Sequence, residues 1–383
     1  MTKTSLKKQR IFFLVVLTSF SFLSISFKTK ESDYIITIKG AEKPIIKEFV
    51  VCENQKQLYS NQDCISLEEL EEKEKEVSEL IVKIINQERN FRNLRELRKD
   101  PVAERIAKEH ADYLVEKRQF SHFGQKNKNP DQRYSQINGT GKLNEIINGF
   151  FATVNTENQE LLKISFSQET AHQLVDAILQ TPDKKDLLLD RYARKIGLSL
   201  RLSPDQKQLV VVTEIIRDQG ILRNLPFKSL PVAEQKIKGS INRNYKFAWI
   251  GISKEEFPQE EIFELEAKTY IPPVDQVIYL DMSNRNLKKA TILGVTLAAM
   301  VAAPFTYGLS IVAANLIQNQ VNKIYENHEV EIRKGIDNSL SGEFTGKIAL
   351  GEYGPGIYYV NLWAYHKKSK KIVLLSTKTV DIR

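Results

Sequence analysis

The sequence predicts an α+β protein in two parts, and three observations predict it. In the first half, apolar residues recur at three-to-four spacing. They stand at Val77, Leu80, Ile81, Ile84 and Ile85, and again at Ile106, Ala107, Ala111 and Leu114, which is the period of amphipathic helices. From Ile196 onward the pattern changes to short apolar, β-branched runs bounded by Gly, Pro, Asn and Asp, the pattern of strands. Between the two regimes, residues 218–233 carry Asp218-Gln-Gly220 and two prolines, and are expected to be a linker. With 383 residues the chain has room for two domains and a sizeable core.

At the N-terminus, Lys7, Lys8 and Arg10 precede an uncharged run from Ile11 to Phe27, with Ser24 and Ser26 near its end. A charged start, an apolar middle and a small-x-small site make residues 1–27 a signal peptide or signal anchor, so the protein is expected to be exported. That places it in a periplasmic or extracellular setting, either free or held by the anchor. Residues 28–76 form a polar lead-in containing the only cysteines, Cys52 and Cys64. In an exported chain two cysteines so close together are expected to form a disulfide, adding about 3 kcal/mol in the chain-entropy view. Ser66-x-x-Glu69 then reads as a capping box opening a helix, and the Glu/Lys run 68–76 as its solvated face.

Residues 77–217 follow as one domain, helices first. Ile196–Leu202 and Leu209–Thr213 are expected as paired strands joined through Ser203-Pro-Asp-Gln. The part from 234 to 383 is strand-rich, with runs at 245–252, 262–270, 277–282, 346–350, 357–365 and 372–380. Gly354-Pro-Gly-Ile-Tyr358 is similar to the tyrosine corner of immunoglobulin-like sandwiches, so that arrangement is one expectation for this domain. Residues 290–317 break the β pattern: no charged residue stands between Lys289 and Lys323. The stretch is long enough to cross a bilayer, but Gly294, Pro304 and Gly308 interrupt it, and Arg285, Lys288 and Lys289 lie on the side expected to be external. Three readings stay open: a helical hairpin touching a membrane, a true span, and a buried helix pair.

The net charge of +8 is spread along the chain, and neither an RNA-binding aromatic motif nor zinc-finger spacing occurs, which argues against nucleic acid as a partner. There is no Gly-x-Ser-x-Gly, no His-Glu-x-x-His and no Gly-rich phosphate loop. Ser121 beside His122 says nothing about a triad, because triads assemble through the fold.

The order Asn86-x-x-Arg89, Leu97-x-x-Asp100, Ala107-x-x-His110-Ala111 and Phe120-Ser-His122 resembles the opening of the CAP superfamily of cysteine-rich secretory, antigen-5 and pathogenesis-related proteins, in its bacterial branch. The resemblance covers roughly residues 77–216 and is clearest over the first half. It implies a three-layer α-β-α sandwich with a cleft, which many members line with two histidines and two acidic residues able to hold a divalent cation. His122 matches the first family histidine. Arg133, Gly139 and Gly141 lead into Leu143-Asn-Glu145-Ile-Ile, which puts Glu145 in the family's glutamate position.

Two departures matter. Ile146 stands where the family has Asn. The segment Thr181-Pro-Asp-Lys184-Lys185 replaces the family's Ser-Pro-Gly-His-Arg, so the second histidine is Lys184. Two remaining ligands, His122 and Glu145, fall short of the three that hold a typical catalytic zinc. His172 near a helix start is a candidate replacement ligand, His110 is expected to be structural, and His328 and His366 to be solvated.

The expected function is therefore that of an exported envelope protein binding a lipid, glycan or protein ligand in the cleft around His122, Glu145, His172 and Lys184, without a certain cofactor. One alternative is a zinc-assisted hydrolase using His122 and Glu145. Another is a membrane-inserting protein using 290–317.

Overall fold

The computed structural model describes residues 49–51, 63–152, 164, 167–258, 269–281, 330–339 and 341–383. The expected signal segment 1–27, Cys52 and with it the disulfide to Cys64, the run 262–268, the uncharged segment 290–317 and His328 lie outside the described residues.

Two short parallel strands, β1 (Phe49–Val51) and β2 (Asp63–Ile65), precede helix α1 (Leu67–Phe91). Its capping box is formed as expected: the Glu69 amide donates to Ser66 Oγ at 3.1 Å, and the Ser66 amide to the Glu69 carboxylate at 2.7 Å. The buried stripe of α1 contains Val77, Ile81, Ile84 and Ile85. One residue of the charged run departs from the solvated face expected for it. Glu74 is buried, accepts from the Leu202 amide at 2.9 Å and pairs with Arg201.

Strand β3 (Arg98–Lys99) leads into α2 (Pro101–Lys117), and α3 (Pro130–Gln136) follows a loop. Then come β4 (Lys142–Phe151), α4 (Gln168–Gln180), α5 (Pro182–Leu188), β5 (Lys195–Leu202) and β6 (Gln208–Arg217). The strands form one sheet in the order β3-β5-β6-β4, with β5 and β6 antiparallel neighbours as their alternation predicts. Each face of this sheet is apolar, so each needs a layer of helix. Ile146, Leu209, Val211 and Ile215 pack with the stripes of α1 and α4 on one side. Leu143, Ile147, Val210, Val212 and Ile216 meet Ala103, Ile106, Ala107, Ala111 and Leu114 of α2 on the other. The three-layer α-β-α sandwich is therefore formed. The helix sits so close that a Cβ at Gly197 of β5 would come within 2.2 Å of the Ala103 carbonyl carbon.

The rest of the described chain is β-rich. Strands β7 (Gly220–Arg223), β8 (Lys228–Ser229), β9 (Val232–Ile241), β10 (Tyr245–Glu255), β11 (Val277–Asp281), β12 (Glu331–Asn338), β13 (Glu343–Leu350), β14 (Gly356–His366) and β15 (Ile372–Ile382) form one sheet. Its order is β7-β9-β13-β12-β11-β10-β14-β15-β8, with β11 and β12 parallel. Residues 218–233 thus contribute β7 and β8 to the sheet instead of forming a free linker: their short apolar pieces find ladder partners in β9 and β15. A single continuous sheet curls around one core containing Ile237, Ile250, Val277, Ile336, Tyr358, Leu362 and Leu375. That is a different arrangement from two facing immunoglobulin-like sheets. The local tyrosine-corner expectation does hold, since Tyr358 donates from its hydroxyl to the Gly354 carbonyl at 2.8 Å.

The two sheets meet along α3 and β15 through polar contacts. The Thr379 amide donates to Ser135 Oγ at 2.9 Å, Gln132 Nε2 to Asp381 at 3.1 Å, and Lys378 Nζ to the Gly139 carbonyl. No described helix is long and apolar enough to cross a membrane.

Candidate functional site

Most residues of the sequence motif hold backbone in place. Asn86 pairs with both backbone groups of Leu97, accepting its amide at 2.8 Å and donating to its carbonyl at 3.1 Å. Arg89 is fully buried and gives its donors to the carbonyls of Arg95 (2.9 Å), Leu188 (2.7 Å) and Asp190 (3.0 Å). Asp100 caps α2 by accepting from the amides of Val102 and Ala103, and binds Lys195 Nζ at 2.8 Å.

His110, His122, Arg133, Glu145 and Glu214 come together on the α2 face of the four-stranded sheet. Glu145 and Glu214 are register partners on β4 and β6, so their side chains emerge on the same face. His122 Nδ1 lies 2.7 Å from Glu145 Oε1, and Arg133 pairs with Glu145 Oε2. Arg133 also donates to the carbonyls of His122 (2.7 Å) and Lys128 (2.8 Å), tying α3 to the loop that carries the histidine. His110, from α2, has its Nε2 2.9 Å from the Ser121 carbonyl and 3.8 Å from Glu145 Oε1. Gly124 leaves room for this packing, as a Cβ there would sit 3.2 Å from His110 Nδ1.

The charges of the cluster follow from its burial. Burial pushes the Glu145 carboxyl up, but the Arg133 guanidinium and the two imidazoles outweigh it and hold it below the usual carboxylate range. Burial, with the Arg133 charge, pushes His110 down to about 3, so it is neutral and donates from Nε2 to Ser121. Burial and the neighbouring Glu145 charge push Glu214 well above the usual range, and it is a neutral acid. Since Glu145 is ionised, His122 donates to it from Nδ1, and Nε2 is its other ring nitrogen. That nitrogen and His110 Nδ1 meet no hydrogen-bond partner among the described residues.

The second sheet closes the cluster. Tyr270, which follows β10, lies with its ring centroid 6.4 Å from that of His122 and meets Phe123 edge-on at 6.0 Å. Its hydroxyl is 2.6 Å from that of Tyr359, which also binds Glu255 and receives Asn129 Nδ2 at 2.7 Å. His122 is left 2% exposed and Glu145 equally so.

The structure therefore brings His122 and Glu145 together, as expected, but not with the other candidates. His172 is an exposed residue of α4. Lys184 donates to the Ile147 carbonyl at 2.8 Å, and burial pushes its ammonium down. His366, expected to be solvated, is instead half-buried against Tyr192 and Tyr245 and bonded to Ser369, because β14 carries it into the seam between the sheets.

A divalent cation does not fit this donor set. The Arg133 guanidinium holds one oxygen of Glu145, and the Nδ1–H of His122 holds the other. Among the described residues no group of three or more His, Cys, Asp or Glu side chains is arranged to hold a metal. The sequence signal for Glu214 is that it is a lone carboxylate inside the run Val210–Ile216. Tyr270 had none, because only the fold brings it over His122.

A ligand-sized groove lies elsewhere, along the β5 edge between α1 and α2. It has a volume of about 660 Å³ and a floor of Ile196, Leu198 and Leu200. Glu71, Lys75 and Glu79 rim one side and Glu104, Arg105 and Lys108 the other. The outward amides of Leu200 and Leu202 are taken by Ser78 Oγ at 3.2 Å and by Glu74, so α1 side chains guard part of this sheet edge.

Residues 82–214 match the CAP family model, that of the cysteine-rich secretory protein family. A search among curated proteins finds no match to the chain. Among solved structures, the chain is similar to an outer surface protein from Borrelia burgdorferi, with 25% identity, 38% of this chain and 95% of that one covered, and a TM-score of 0.31. It is also similar to an extracellular protein containing an SCP domain from Bacillus anthracis str. Ames, with 15% identity, 40% of this chain and 44% of that one covered, and a TM-score of 0.32.

Proposed function

We propose, from the premise that residues 82–214 are a CAP domain, that this protein is an exported binding protein whose CAP domain presents the α1–α2–β5 groove to a polypeptide ligand. The sealed state of the cleft cluster carries the reading. Both oxygens of Glu145 are engaged and His122 lies under Tyr270, so the His122–Glu145 pair acts as a fastener inside the protein. A carboxylate orienting an imidazole is the arrangement of a general base, but a base needs access to substrate. The groove is open, of the size of ligand sites, and rimmed by carboxylates and cations in alternation over an apolar floor. A rim of both signs suits an extended peptide carrying both charges better than a lipid tail. Export rests on the N-terminal sequence.

The test is fluorescence anisotropy of a labelled peptide library of mixed charge against the full chain. The tightest peptides should bind the double charge reversal Lys75→Glu, Arg105→Glu about tenfold more weakly, a change of about 1.4 kcal/mol. Unchanged binding, or no peptide bound at all, would sink the reading.

A further inference from the structure

The outer edge of β5 is flanked by a strand too short to cover it. Two-residue β3 pairs only with Lys195 and Ile196, and the amides of Arg98 and Asp100 donate to the carbonyls of Arg194 and Ile196. After Asp100 the chain turns away into α2. Backbone groups of a strand alternate between its two edges, so the even-numbered residues of β5 face outward. Farther along, Ser78 Oγ and Glu74 accept the outward amides of Leu200 and Leu202. Between these two covered ends lie the Leu198 N–H and C=O and the Leu200 C=O. They meet no partner among the described residues, and both residues line the groove. Open edge groups of this kind are the template for one more strand.

The groove walls decide which strand fits. Helix α1 lies on one face of the sheet and α2 on the other. A strand added to β5 therefore runs between them, and its successive side chains point alternately at the two walls. The α1 wall is acidic, with Glu68, Glu71, Glu72 and Glu79 against Lys75. The wall from β3 and α2 is basic, with Lys99, Arg105 and Lys108 against Glu104. Two ion pairs cross from wall to wall, Lys99 Nζ to Glu79 at 3.0 Å and Lys108 Nζ to Glu71 at 4.0 Å, and all four side chains are more than half exposed. Exposed pairs contribute little to stability, so a ligand can exchange them for its own charges at little cost.

We propose that the groove takes its ligand as an added strand on the Leu198–Leu200 edge of β5, and that this ligand is an extended peptide alternating basic and acidic residues. The basic side chains face α1 and the acidic ones face α2. The proposal rests on the groove being the binding site, and adds to it the backbone pairing and the order of charges.

Fluorescence anisotropy of labelled six-residue peptides with the full chain tests it. One peptide repeats Lys-Glu three times, and a second carries three lysines followed by three glutamates. Their composition and net charge are the same, but only the first sorts its charges by face. It should bind at least about tenfold more tightly, and Arg105→Glu with Lys108→Glu should weaken it by about the same factor. Two further versions of the alternating peptide are N-methylated, one on every lysine amide and the other on every glutamate amide. A strand on a sheet edge uses alternate amides, so one version should lose about tenfold in affinity and the other stay within about twofold. Equal effects of the two versions, on a peptide that still responds to the double substitution, would overturn strand addition and leave the groove as the binding site. Equal binding of the alternating and blocked peptides, or binding unchanged by the double substitution, would also overturn the proposal. Binding of neither peptide would overturn it together with the groove reading.

Discussion

His110 shows what a single buried side chain contributes to the behaviour of the whole protein. It is neutral because its site excludes water and faces Arg133, and its folded-state proton affinity falls to about 3 against an ordinary 6.5. Between those values the unfolded chain binds a proton that the folded chain refuses, so His110 makes stability rise with pH, by at most about 1.4 kcal/mol per pH unit. Glu145, held below its usual range, acts in the same direction at the acid end. Glu214, held above its range, acts in the opposite direction once the unfolded carboxyl ionises. His122 and Arg133 complete the set of groups facing His110. Urea unfolding of His110→Gln and of the wild type from pH 7 to pH 3.5 isolates the histidine. The wild type should lose stability relative to the variant as pH falls, and a constant difference would refute the assignment.

At the scale of elements, the α2 terminus turns a motif residue into geometry. Asp100 accepts two free amides of the first turn and binds Lys195 of β5, so one carboxylate both starts the helix and fixes it to the sheet edge. Asp100→Ala should cost about 1–2 kcal/mol of stability, the range for a lost N-cap, and Asp100→Asn should recover part of it. Chemical denaturation measures both, and equal losses would mean that the ion pair with Lys195 carries the effect. Strands β5, β6, β10, β11, β14 and β15 were legible in the sequence because their apolar runs are strong. Strand β12 reads Glu-Ile-Arg-Lys-Gly-Ile-Asp-Asn and was not: its charges mask an alternation that only pairing with β11 and β13 makes useful. Strand β4 was noticed for Glu145 and not for its ten-residue extension, whose Gly149 interrupts the run.

At the scale of the molecule, the second sheet decides what the first can do. Tyr270, Tyr359, Glu255 and Asn129 join the sheets over His122, and the contacts of α3 with β15 keep them joined. Tyr270→Ala should lower the melting temperature by a few degrees, as loss of about 1–2 kcal/mol does in a chain of this size. It should also make His122 reactive toward diethyl pyrocarbonate, mapped by peptide mass spectrometry. An unreactive His122 in that variant would show that Tyr270 does not close the cleft. Zinc and chelator should leave the wild-type melting temperature unchanged, because Arg133 already supplies the positive charge beside Glu145.

By itself the sequence determined the α+β class, the capping box at Ser66 and the pairing of β5 with β6, while its resemblance to the CAP family implied the three-layer order and the meeting of His122 with Glu145. Periodicity, caps and motif spacing are local properties, and local patterns survive in one dimension. Only the tertiary structure decided the roles. The neutral state of Glu214 depends on register with Glu145 and on burial, and the closed cleft depends on a tyrosine well over a hundred residues away in sequence. The fate of residues 218–233 was decided in the same way, by edge strands finding ladder partners. Desolvation and hydrogen-bond partners come from neighbours in space, so a residue's type gives its chemistry and the fold gives that chemistry its use.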